Sequence, residues 1–174
     1  MLYLGCHLSA SGGNVSMVQT AMEIGANTFA FFTRNPRGSR AKQENPADSA
    51  AAVQALGENG FAPLVAHGAY TMNLCTADPE ARKFAAEILK DDLRRMAALP
   101  GNFYNFHPGS HVGQGAELGI KYIIDALNEI IRPEQRTIVL LETMAGKGSE
   151  IGRSFEEIKT IIDGVKHSDK LGVC

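Results

Sequence analysis

Short apolar runs along this chain end, one after another, at a residue able to bind a metal ion. The runs are residues 61–66, 102–106 and 137–141, followed by His67, His107 and Glu142. The end residues are roughly 35 to 40 positions apart, about one strand–helix–strand unit each. If the runs form neighbouring parallel strands, about 4.8 Å apart, their carboxyl ends bring two imidazoles and a carboxylate to one point.

Helix signals separate the apolar runs. The predicted strands are residues 2–6, 27–33, 61–66, 102–106, 137–141 and 171–174, and the predicted helices are about 14–24, 46–58, 78–98, 116–131 and 154–165. In the third helix the predicted inward stripe is Phe84, Ile88, Leu89, Leu93 and Met96. Alternation of buried strands with helices is typical of a parallel α/β fold.

Two α/β architectures fit this alternation, an open doubly wound sheet and a (β/α)8 TIM-type barrel. Barrel sites are built from the carboxyl ends of several successive strands, so the polar residues at three strand ends favour the barrel. A whole barrel takes about 250 residues. The 174 residues are therefore predicted to form an incomplete barrel of about five and a half βα units, as a single domain over residues 1–174.

Composition excludes several classes of protein. Hydrophobic residues make up 44% of the chain, an ordinary globular value that argues against disorder. With Lys+Arg 17 against Asp+Glu 19 the net charge is −2, so any nucleic-acid contact has to come from a local basic patch. Three cysteines without a CxxC pair and no signal or membrane-spanning run predict a cytoplasmic protein without membrane contact.

The candidate ligand set has the composition of a catalytic zinc site. Two histidines and a glutamate leave a fourth position open, which suits water activation or polarisation of a phosphoryl or carbonyl oxygen. A single loop histidine is more often just hydrogen-bonded to backbone, but three candidates at equivalent places make coincidence less plausible. His7 and His111 are candidates for orienting a ligand; a core role for His7 and a surface role for His111 are the alternatives.

The most basic stretch of the chain runs from Arg34 to Lys42 and holds four positive charges in nine residues. It can be a solvated connection between strand and helix or a loop that contacts phosphates. Tyr70, in the loop after His67, can stack against a nucleic acid base or cover the core as a lid.

Four motifs give the sequence a recognisable resemblance. They are Gly-Cys-His-Leu-Ser-Ala-Ser-Gly-Gly at 5–13, Phe-Thr-Arg-Asn-Pro-Arg at 32–37, Asn-Phe-His-Pro-Gly-Ser at 105–110 and Leu-Glu-Thr-Met-Ala-Gly at 141–146. Together they closely resemble the endonuclease IV family, the zinc-dependent apurinic/apyrimidinic endonucleases of base-excision repair, also called deoxyribonuclease IV. The resemblance implies a (β/α)8 barrel with three zinc ions that hydrolyses the phosphodiester 5′ to an abasic site and leaves a 3′-hydroxyl.

The resemblance also implies roles for individual residues. His67 and His107 would be ligands of one zinc, and Glu142 would bridge that zinc to a second and be the catalytic carboxylate. The implied partner is double-stranded DNA containing abasic sites, bound by a monomeric full-length protein. Side chains implied to bind it are Arg37, Tyr70 and Asn35, whereas Thr71 stands where the family often has a bulky apolar residue.

The family's remaining zinc ligands lie beyond the point that Cys174 matches. One zinc site is thus complete in this sequence, and we expect little nicking of abasic duplex by the 174-residue chain, together with exposed sheet edges that favour self-association. Two rival interpretations stay open. One is a metal-dependent sugar isomerase on the same barrel, and the other is a non-catalytic remnant that binds zinc or DNA.

Overall fold

The computed structural model describes residues 1–174 and contains one six-stranded parallel sheet. Its strands are β1 (His7–Leu8), β2 (Ala30–Phe32), β3 (Val65–His67), β4 (Phe103–Phe106), β5 (Ile138–Leu141) and β6 (Leu171–Val173). Each strand pairs in parallel with the next one along the chain, in the order β1 to β6. A doubly wound sheet would reverse its order at a switch point, so the strictly sequential order identifies barrel-type winding. The predicted fold class, five βα units followed by a sixth strand, is confirmed.

A helix follows each of the first five strands. The helices are α1 (Asn14–Glu23), α2 (Pro46–Glu58), α3 (Pro79–Met96), α4 (Ala116–Ile130) and α5 (Phe155–Gly164). Side-chain oxygens just outside three of them accept hydrogen bonds from first-turn amides, namely those of Asn45, Asp78 and Ser154. These caps satisfy donors that have no partner within the helix. The predicted helix bounds therefore agree with the structure to within two residues.

The amino terminus of α1 is capped from a different helix. Asp48 of α2 accepts hydrogen bonds from the backbone N–H groups of Asn14, at 2.6 Å, and Val15, at 3.2 Å. A carboxylate at a helix amino terminus also offsets the positive end of the helix dipole. This contact ties the first two βα units together.

Strand alternation decides which residues face the helices. Ala66, Tyr104 and Leu141 are completely buried in the layer between sheet and helices. Since neighbouring strand residues point to opposite faces, His67 and Asn105 point to the other, concave face, where the register sets them side by side. The concave face is therefore where polar side chains collect.

Three expectations from the sequence are wrong. The third strand is predicted at residues 61–66 with His67 after it, but β3 is Val65–His67. The apolar run predicts the first strand at residues 2–6, but β1 is His7–Leu8, and Leu2 is 78% exposed. The strand lies at an edge of the sheet, so one side of it is not covered by a neighbour. Periodicity predicts that Phe84 faces inward, yet it is 55% exposed. The buried positions of α3 are Ala85, Ile88, Leu89, Asp92 and Met96, a stripe turned by about one residue and interrupted by an aspartate.

No helix of the described chain combines the length and apolarity needed to cross a bilayer.

The three cysteines differ in accessibility, and this gives a test of the core. Cys75 is completely buried and its thiol donates to Asn73 Oδ1 at 3.3 Å, whereas Cys6 and Cys174 are exposed. Burial raises the pKa of Cys75 to about 12, so about one thiol in 10⁴ is ionised at pH 8. We expect iodoacetamide to label two cysteines per native chain and three in concentrated urea, counted by mass spectrometry. Labelling of native Cys75 at the rate of Cys6 would contradict this packing.

Candidate metal centre

Three side chains converge at the carboxyl ends of β3, β4 and β5. His67 is the last residue of β3, and His107 and Glu142 directly follow β4 and β5. Each offers one ligand atom, and these atoms all lie within 4.8 Å of one another. The three side chains are half-buried, so a cation held among them would keep contact with solvent. The residues predicted to share an ion do lie together, and their role as ligands stays a prediction.

The hydrogen bond made by Nδ1 of His67 determines what the other ring nitrogen, Nε2, can bind. Nδ1 lies 2.7 Å from the carbonyl oxygen of Gly68. A carbonyl can only accept, so Nδ1 carries the hydrogen and Nε2 of the neutral ring presents a lone pair. That lone pair lies 3.2 Å from Glu142 Oε2. The same carboxylate oxygen lies 3.5 Å from His107 Nε2.

Electron-rich atoms at this distance repel unless a positive charge lies between them. Either a proton or a metal ion can supply that charge. Two imidazole nitrogens and a carboxylate oxygen are the donor set of catalytic zinc sites, so the residues present fit a metal ion. The cluster therefore has the chemistry of a cation site with an open coordination position.

Asn105 is a member of this site that the sequence pattern did not identify as a functional residue. Its Nδ2 donates to Glu142 Oε2 at 2.5 Å, and its side chain lies beside His67 in the sheet register. The residue is 3% exposed, and its Oδ1 has no hydrogen-bond partner. Buried polar atoms without partners are uncommon and point to a group that binds there. A polar residue two positions before His107, on the same strand face, was the signal available in the sequence.

Tyr70 covers the two histidines. Its ring centroid lies 5.6 Å from that of His67 and 5.5 Å from that of His107, and Phe32 packs against its edge at 5.2 Å. Tyr70 is nevertheless 54% exposed. An aromatic side chain accessible to solvent thus lies over the candidate site.

The loop after β2 carries the other residues predicted to bind DNA. Arg37 and Asn35 are both exposed in this β2–α2 loop (residues 33–45). Asn35 Oδ1 accepts from the backbone N–H of Arg37 at 3.0 Å, which gives the turn its shape. Pro36 O accepts from Tyr70 N at 2.9 Å, so the loop and the aromatic cover are joined.

The two further histidines lie at different places. The His7 ring packs against Phe32, with centroids 4.5 Å apart. Partial burial, and then the nearby His67, lower the pKa of His7. His111 Nδ1 accepts from the backbone N–H of Gly115 at 3.2 Å, which serves the turn that leads into α4. Both proposed ligand-orienting roles stay predictions.

Comparison with known proteins places the chain in a family. The profile of the xylose isomerase-like TIM-barrel family matches residues 18–174. The protein named probable endonuclease 4 of Alkaliphilus oremlandii is 58% identical over 174 residues, which is all of this chain and 62% of that protein. The chain thus spans less than two thirds of the length of this curated relative.

Solved structures agree with the sequence comparison. Endonuclease IV from Thermus thermophilus superposes with a TM-score of 0.79 at 31% identity, over 98% of this chain and 61% of that one. D-psicose 3-epimerase from Clostridium cellulolyticum superposes with a TM-score of 0.73, over 99% of this chain and 62% of that one, but at 14% identity it shows the shared fold alone. The chain therefore belongs to the xylose isomerase-like TIM-barrel family, and in sequence it is similar to proteins named endonuclease 4 and endonuclease IV.

Proposed function

We propose that this chain carries the active centre of a zinc-dependent endonuclease, which hydrolyses the phosphodiester 5′ to abasic sites in double-stranded DNA. The observation that carries the proposal is the contact between His67 Nε2 and Glu142 Oε2 at 3.2 Å. Two acceptors face each other there, so the site is built to hold a positive charge. The names of the relatives, endonuclease 4 and endonuclease IV, supply the reaction class.

The residues of the chain divide the work at this centre. The Gly68 carbonyl holds the His67 ring so that Nε2 points inward, and Asn105 holds the Glu142 carboxylate. Zinc bound by His67, His107 and Glu142 would supply Lewis-acid chemistry, which activates water and offsets charge on a phosphate. The half-buried site leaves the open position accessible to a phosphodiester at the protein surface.

We assign substrate binding to Arg37 and Tyr70, which form the rim of the site. Arg37 is exposed and makes no ion pair, so its full charge is available to a phosphate. Tyr70 is about half exposed, and aromatic rings stack on bases without sequence preference. An aromatic ring over the metal site, and a cation on the loop that is bonded to its backbone, suit a substrate recognised by backbone and shape.

The direct test is binding of abasic duplex by the chain in the presence of zinc. We expect tighter binding to a duplex with one abasic analogue than to the intact duplex of the same sequence. We expect chelation of zinc to reduce that difference. Fluorescence anisotropy measures both, and nicking is followed on gels in parallel. Equal affinity for the two duplexes with and without zinc would refute the proposal.

Arg37→Ala and Tyr70→Ala are expected to weaken binding to abasic duplex while zinc content stays unchanged. Loss of the arginine should also reduce the slope of log affinity against log salt by about one. Loss of the tyrosine should cost about 1–3 kcal/mol of stacking with little change in that slope. Lys159→Ala, on the outer helix α5, is the matched control and should bind as the unmodified chain does. A loss of zinc in either variant would contradict the proposal that Arg37 and Tyr70 bind DNA without holding the metal ion.

The sugar-isomerase interpretation is tested in the same preparation. D-psicose 3-epimerase shares the fold of this chain, so ketose epimerisation is the informative alternative assay. We expect no turnover of ketoses, because the exposed arginine and tyrosine at the rim suit a long anionic substrate. Turnover of a ketose without binding of abasic DNA would favour the rival.

A further inference from the structure

A buried ionic network joins α3 to the β2–α2 loop. Asp92 of α3 is completely buried, and both of its carboxylate oxygens are hydrogen-bonded. Oδ1 accepts from Nε and Nη2 of Arg34 at 2.9 and 2.7 Å, and Oδ2 accepts from the hydroxyl of Tyr104 at 2.7 Å. Burial of the phenol, and then the Asp92 charge, raise the pKa of Tyr104 well above its usual value, so the hydroxyl remains a donor. A charged pair at this depth is tolerated only when its hydrogen bonds are satisfied.

Arg34 uses its other donors to hold the loop. Its Nη1 donates to the backbone carbonyl of Ser39 at 2.8 Å, on the far side of the turn, and its Nη2 also reaches Asp91 Oδ2 at 2.8 Å. The side chain is only 5% exposed. Arg34 is therefore unavailable to a phosphate, although it belongs to the basic stretch. One planar guanidinium instead connects helix α3 to both ends of the turn.

The loop borders an open cavity, so polar contacts matter for its position. The cavity has a volume of about 850 Å³, and its lining includes Asn35 and Arg40 of the loop and Phe32 of β2. Further along the loop, Arg95 Nη1 donates to the carbonyl of Lys42 at 2.8 Å. Polar contacts thus fasten the loop to α3 at two places.

A backbone hydrogen bond connects the loop to Tyr70, the residue that covers the two histidines. Pro36 O accepts from Tyr70 N at 2.9 Å, and the turn that Arg34 closes carries Arg37. A shift of the turn would therefore displace the arginine and the tyrosine together. Neither residue touches Asp92, so any effect of Asp92 on them is transmitted by Arg34.

We propose that Asp92, itself bonded to Tyr104, is a positioning residue for DNA binding, which through Arg34 holds the β2–α2 loop where Arg37 and Tyr70 face the substrate. This inference rests on the proposed function, since it concerns how Arg37 and Tyr70 are positioned to bind DNA. A purely stabilising role for the same network is the alternative. The two roles predict different DNA binding for a variant that lacks the network but is as stable as the unmodified chain.

The test replaces the network by apolar side chains, Arg34→Met, Asp92→Leu and Tyr104→Phe in one triple variant. Such replacements often preserve or increase stability because no unpaired charge is left behind, but they remove the donor to Ser39. We expect a melting temperature close to that of the unmodified chain, zinc content unchanged, and binding of abasic duplex about tenfold weaker. Amide hydrogen exchange of residues 35–42, measured without DNA, should become faster. Lys121→Met with Asp125→Leu, an exposed pair on α4, is the control and should change none of these.

The outcomes separate the hypotheses. Weaker DNA binding and faster loop exchange at unchanged stability would support the positioning role, whereas binding and exchange equal to those of the unmodified chain would overturn it. If the unmodified chain itself does not bind abasic duplex, the proposed function fails, and the exchange of residues 35–42 still decides whether the network holds the loop. If the triple variant does not melt cooperatively, the isosteric Asp92→Asn variant is judged by the same two readouts.

Discussion

Glu142→Gln is expected to remove zinc from the chain without unfolding it. The unmodified chain should bind about one zinc ion at this site, and the variant less than about a tenth of that at equal concentration, because a neutral amide replaces the only anionic ligand. The amide can donate to His67 Nε2, so the repulsion between two acceptors disappears in the metal-free state. Any hydrolysis of abasic duplex should be lost as well. Metal analysis after gel filtration and thermal melting in a chelator measure the two effects.

Glu150→Gln is the matched control for this experiment. Glu150 lies in the same connection after β5, where its carboxylate accepts from the backbone N–H of Lys147 at 2.7 Å. Its replacement should leave zinc content unchanged. If Glu142→Gln retains as much zinc as the control, Glu142 is not a ligand and the proposed centre is wrong.

Asn105→Ala is expected to weaken zinc binding by about 10- to 100-fold, the range found when a residue that orients a metal ligand is removed. The loss follows because Nδ2 of Asn105 holds Glu142 Oε2 at 2.5 Å, and a carboxylate free to rotate spends less time facing the histidines. Competition with a chromogenic chelator gives the affinity. The absorption spectrum of the cobalt-loaded chain reports whether ligand geometry has changed as well.

Asn102→Ala controls for general damage to β4. Asn102 is also buried, and its side chain accepts from Leu64 N and donates to Leu99 O at the opposite end of the strand. Asn102→Ala should melt at lower temperature, since it leaves the buried backbone groups of Leu64 and Leu99 without partners. Only Asn105→Ala should lose zinc affinity. Equal zinc affinity in the two variants would show that Asn105 does not orient the carboxylate.

Much of the fold is readable from local patterns. The helices and the later strands follow from periodicity and caps such as Ser154, and these depend on neighbours within a few residues. The meeting of His67, His107 and Glu142 follows from one added rule, that parallel strands end at the same edge. The prediction is wrong for the first strand, because the apolar residues 2–6 precede an edge strand and stay exposed. It is also wrong for Phe84, because packing of α3 on its neighbours buries Ala85 instead.

Asn105 and the Arg34–Asp92–Tyr104 network lie outside what residue patterns can indicate. Asp92 stands among charged residues of α3, a pattern typical of a surface position, yet it is completely buried and bonded to an arginine 58 positions away. The charge of Arg34 likewise looks available for phosphate until its partners are known. Residue types determine which groups can bind, but desolvation and pairing arise only when distant segments pack, and these decide which charges hold the fold and which remain free for a substrate.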